Sequence, residues 1–167
     1  MFRKILPPIL VALTFLLDTV ILPVFVSHWM MPLFALVTIH VLGMQIGRTN
    51  GTLYGMICGL LVDITLSTPL GLMTIFYGAL GYAGGWFARH LFRRINRKFI
   101  PLIAGAICFG VFEIIMAFYA ILISATLSGQ LLINALIRLG VDVALAEVMF
   151  IVYEWLIQPD WSRFARR

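Results

Sequence analysis

Six apolar segments follow one another with only short connections between them, and this spacing constrains the chain more than any motif does. They run over roughly 5–26, 29–46, 52–67, 70–88, 100–124 and 131–157. About 20 apolar residues are enough to cross the hydrocarbon core as a helix. Six such helices use up the chain and leave no room for a soluble domain. The third segment is short and the fifth long, which implies different tilts. Each is apolar on every face, so periodicity does not say which faces meet.

Composition excludes the soluble alternative. Hydrophobic residues fill 62% of 167 positions and charged residues 11%, with a mean hydropathy of +1.05. Soluble domains hold about 25% charged residues, and a domain this small keeps too much surface in water to hide such a sequence. The expected fold is therefore all-α: one integral membrane domain over 1–167, a compact bundle of about six transmembrane helices. The first segment follows Arg3 and Lys4 like a signal sequence. It is too long for a signal h-region and no small-x-small site follows, so it reads as an uncleaved first helix.

The connections predict the topology. Eleven of the 12 Lys and Arg residues fall at the two ends, in loop two (Arg48) or in loop four (Arg89 to Lys98), and loops one, three and five carry none. Basic residues in short loops mark the cytoplasmic side. Both termini are thus expected in the cytoplasm, with the chain multi-pass in its membrane. Trp29, Trp86, Trp155 and Trp161 fall near proposed helix ends, where amphipathic rings favour the interface. The basic loop four and tail read as topology signals; attraction to anionic lipid and contact with a cytoplasmic partner are the other readings.

The acids are the candidates for function. Asp18, Asp63, Glu113, Asp142 and Glu147 lie inside apolar segments, where the one base is Arg138. A carboxylate there costs several kcal/mol unless it is paired, hydrated or protonated, and one arginine cannot neutralise five. Arg138 and Asp142 stand four apart on one helical face and are the expected pair. Glu147 points elsewhere and shares a face with Glu154, seven residues on. Such carboxylates act either as polar glue between helices or as an ion or proton pathway; glue or partner contact is the preferred reading.

Gly43, Gly47, Gly51, Gly55 and Gly59 recur every four residues, and Gly81 and Gly85 repeat the spacing. Glycines at this spacing let helix backbones approach closely. The ladder crosses loop two, so only Gly51, Gly55 and Gly59 are expected on one continuous helix. Cys58 and Cys108 have no metal or redox spacing, and His28, His40 and His90 are scattered. There is no phosphate-binding loop, no H-E-x-x-H and no G-x-S-x-G. No enzymatic activity, cofactor, metal or nucleic-acid partner is expected.

The stretch Gly59-Leu60-Leu61-Val62-Asp63-Ile64-Thr65-Leu66-Ser67-Thr68-Pro69-Leu70-Gly71 resembles the signature of the MreD family of rod shape-determining membrane proteins. That family has Gly-hydrophobic-hydrophobic-x-Asp in a middle helix and Leu-Gly about seven residues after the Asp. Size, minimal loops and the basic loop four extend the likeness over nearly the whole chain. Pro69 and Gly71 are expected to break the helix, and Asp63 beside the turn either caps the next helix or meets a partner. The resemblance implies a non-catalytic subunit of the bacterial elongation machinery, which binds the membrane helix of MreC. Through MreC it would connect to MreB filaments, to RodA and to a class B penicillin-binding protein, and so help position peptidoglycan synthesis. Grooves near the third and fourth helices are the expected MreC site.

The family is thought to share the fold of the S components of energy-coupling-factor vitamin transporters, and a substrate-binding subunit of that kind is the alternative function. The first helix reads Ile-Leu-Val-Ala-Leu-Thr-Phe-Leu-Leu-Asp and lacks the Ala-rich docking motif of those subunits. A stand-alone proton-coupled carrier is a third possibility, which would need water-accessible carboxylates.

Overall fold

A helix satisfies every backbone N–H and C=O within its own segment, which is what an apolar chain in lipid requires. The computed structural model describes residues 2–21, 24, 33–66, 71–91, 99–124 and 129–157. Among these the chain forms six α-helices and no strand. They are α1 (Phe2–Leu16), α2 (Phe34–Ile46), α3 (Arg48–Leu66), α4 (Leu72–Leu91), α5 (Ile100–Ser124) and α6 (Gly129–Ile157).

Helix α2 is the axis of the bundle. Every residue from Ala35 to Gln45 is buried. It packs against α1, α3, α4 and α6, and the His40 ring meets Phe109 of α5 edge-on at 5.2 Å. Its 13 residues span about 20 Å. An axis surrounded on all sides has no use for an amphipathic pattern, which is why periodicity was silent there.

Gly47 separates α2 from α3 by a single residue. Its φ of +97° is a conformation that side chains with a Cβ rarely adopt. Its N–H donates to Gly43 O and its carbonyl accepts from Gly51 N, both at 3.0 Å, so the two helices meet with their backbone bonds made. This corrects the expected second loop: Arg48 is the first residue of α3, and α3 is 19 residues long.

Other boundaries also move. Helix α1 gives way to a π-helical turn at Leu17–Ile21, where Thr19 Oγ1 donates back to Phe15 O at 2.8 Å. Arg89, His90 and Leu91, expected in loop four, complete α4. Helix α5 has the expected limits, and α6 begins two residues early.

Large apolar side chains remain on the outside of every long helix. Leu53, Ile57, Leu60 and Ile64 are exposed on α3, Val111, Ile114 and Phe118 on α5, and Leu136, Ile151 and Trp155 on α6. Monomeric soluble proteins rarely carry apolar patches of this extent. Among the described residues, Ile100–Phe118 is the one segment long and apolar enough to cross a membrane on its own, with a mean hydropathy of 2.2. Leu6–Ile21 and Phe34–Ile46 are shorter apolar helices.

Candidate functional site

Helices α3 and α4 form the tightest pair in the bundle, and glycine makes it possible. A Cβ on Gly51 would stand 2.7 Å from Gly81 O, and one on Gly59 would stand 2.5 Å from Met73 O. Gly55 faces the Tyr77 carbonyl in the same way. From α4, Gly81 backs onto Gly51, and Gly85 onto Arg48, 2.6 Å from its Cα. The obstacles are backbone atoms, so no rotamer change relieves them. Gly43 also lies against Gly81. Gly43 and Gly51 thus meet the same Gly81 from either side of the break between α2 and α3, while Gly47 turns the chain and itself faces open space.

Asp63 sits at the end of this seam and is 1% exposed. Its Oδ2 accepts from Gly71 N and Thr74 N, both at 3.0 Å, and from Thr74 Oγ1 at 2.8 Å. Its Oδ1 accepts from Met73 N at 3.0 Å. The first N–H groups of a helix have no intrahelical acceptor, and Gly71, with φ of +100°, has no side chain to cap them. A carboxylate from the preceding helix does so and faces the positive end of the α4 dipole. Pro69 and Leu70 lie outside the described residues.

Two further acids meet at the start of α2. Asp18, carried on the π turn, accepts from Phe34 N at 3.1 Å and Ala35 N at 2.7 Å. Asp142, from α6, accepts from Leu33 N at 3.3 Å. Leu33 caps nothing with its own side chain, so both acceptors come from distant elements.

Arg138 has a different partner from the one expected. Its Nε and Nη2 donate to the two carboxylate oxygens of Glu113 on α5, each at 2.6 Å. The fork-to-carboxylate fit is better made across a helix interface than along one helix, where Asp142 is occupied at Leu33. Glu147 and Glu154 are both half-buried on α6.

Polar contacts of α2 escaped the sequence reading. Thr38 Oγ1 and Tyr153 Oη are 3.2 Å apart, Gln45 Nε2 donates to Phe150 O at 3.2 Å, and His40 Nδ1 donates to Leu80 O at 3.2 Å. The signal available was the presence of His40 and Gln45 within an otherwise apolar segment. Among the described residues no three His, Cys, Asp or Glu side chains cluster as a bound metal would require.

Asp18, Asp63, Glu113 and Asp142 therefore tie elements together, and the glycines close one hairpin. Comparison with known families gives a match to the model described as rod shape-determining protein MreD, over residues 1–160. No curated protein and no solved structure matches the chain.

Proposed function

Because this chain belongs to the MreD family of rod shape-determining membrane proteins, we propose that it serves as a non-catalytic, multi-pass subunit of the bacterial elongation complex, binding the membrane helix of MreC. Both termini and the basic α4–α5 connection face the cytoplasm in this reading, as the distribution of Lys and Arg requires. Through MreC the subunit connects to MreB, RodA and a class B penicillin-binding protein, and so helps position peptidoglycan synthesis.

The family match over nearly the whole chain carries this reading. The geometry supports one docking face for the partner helix. Asp63 and the seam glycines are occupied by contacts within the chain, so they position the α3–α4 hairpin rather than touch a partner. The outer face of α3 is free to do that. Leu53, Ile57, Leu60 and Ile64 form one stripe along it, 48–62% exposed, at the spacing of a helix-packing face.

The test is co-purification of tagged protein with MreC from native membranes in mild detergent. Recovery of MreC with cell-wall synthases, lost on Leu60→Trp and Ile64→Trp at unchanged protein level, supports the assignment. Recovery of a transport ATPase instead of MreC would remove the proposal altogether.

A further inference from the structure

We propose that the groove between α4 and α5 holds one acyl chain of an anionic phospholipid, with its headgroup beside Arg89 at the end of α4. The groove has a volume of about 290 Å³ and its walls are apolar, with Phe76, Ala83 and Phe87 on α4 facing Ile107, Val111 and Ile115 on α5. Ile107 and Val111 are about half exposed, so the groove opens sideways to the surroundings of the bundle.

Size selects the occupant. A helix is about 10 Å across with its side chains and would lie against this space rather than enter it, whereas an extended hydrocarbon chain fits inside. From Phe76 to Phe87 the groove runs roughly 16 Å along α4, about half of the ~30 Å hydrocarbon core. That is the depth of one leaflet.

Charge selects the headgroup and the direction. Arg89 and His90 stand on the last turn of α4, just beyond Phe87. No acid occurs in the sequence between Asp63 and Glu113. Trp86 is exposed there and stacks on His90 at 4.2 Å, as an interfacial aromatic would. Each base near a bound anionic headgroup strengthens retention about fivefold.

The inference rests on the membrane-embedded reading of the bundle and makes no use of MreC. It is therefore tested on the purified protein alone, by native mass spectrometry with added phosphatidylglycerol or phosphatidylcholine. The expected result is one phosphatidylglycerol retained preferentially, weakened about fivefold by Arg89→Gln, and lost in Ala83→Trp, which fills the groove. Equal retention of the two lipids, or full retention in a folded Ala83→Trp, would overturn it. In case that variant misfolds, wild-type protein is irradiated with phosphatidylglycerol bearing a photoreactive acyl chain. Adducts on residues 76–87 or 107–115 support the site, and adducts confined elsewhere overturn it. A photoreactive amino acid placed at Val111 and irradiated in native membranes distinguishes lipid from protein: a lipid adduct supports the site, and a protein adduct overturns it by assigning the groove to a partner.

Discussion

Glu113 of α5 and Arg138 of α6 face each other across the helix interface through two 2.6 Å bonds, and this bidentate pair neutralises the one arginine placed inside an apolar segment. Removing one member leaves the other charge without its partner in an apolar interface, which costs about 3–5 kcal/mol. Glu113→Gln and Arg138→Met alone are expected to lower the melting temperature in detergent sharply. The double variant Glu113→Leu/Arg138→Met is expected to recover most of the loss, since a buried pair replaced by apolar groups is nearly neutral. A double variant no better than the singles would mean that the charges act on something other than each other.

Asp63→Ala removes the acceptor for three N–H groups at the start of α4. Loss of a cap costs about 1 kcal/mol, and each stranded buried donor adds roughly 1–3 kcal/mol. Asp63→Asn keeps one acceptor oxygen and is expected to lie between wild type and alanine. The check is the steady-state level in membranes together with melting in detergent. Equal behaviour of Ala and Asn would contradict the capping role.

Glycines in and out of the seam should respond with opposite sign. Gly59→Ala places a methyl 2.5 Å from Met73 O and is expected to cost about 1–3 kcal/mol as overpacking. Gly140 is also helical but meets nothing within 4 Å, so Gly140→Ala is expected to be neutral or to stabilise by about 0.5–1 kcal/mol. Melting both variants side by side separates packing from propensity.

Gly47→Ala forces a Cβ into a positive-φ conformation at a cost of about 1–3 kcal/mol. Space is open around Gly47, so the penalty is conformational. Gly47→Asn, which tolerates that region better, is expected to melt above Gly47→Ala.

The proposed orientation is checked by cysteine labelling. Cys58 and Cys108 are buried, so background reaction with a membrane-impermeant thiol reagent should be low. His28→Cys and Ser128→Cys are expected to label in intact cells, and Asn96→Cys only after the membrane is opened. The reverse pattern would invert the topology.

The sequence by itself determined the class of fold and the family. Long apolar segments joined by minimal connections leave helix as the self-satisfying backbone, and the Gly59 to Gly71 stretch carried the resemblance to MreD before any coordinates. Local chemistry was partly legible too: an acid beside the turn at Pro69 and Gly71 left Asp63 as either a helix cap or a partner contact. Tertiary structure decided the pairings. Arg138 and Asp142 satisfy the one-turn rule, yet Arg138 reaches Glu113 and Asp142 reaches Leu33, because an interface between helices offers geometry that one helix face does not. The same holds for Asp18 at Phe34 and for Gly43 and Gly51 meeting at Gly81. In helices apolar on every face, no pattern in the chain marks which side turns inward. Only the packing of close backbones and the need of each buried carboxylate for donors selects it.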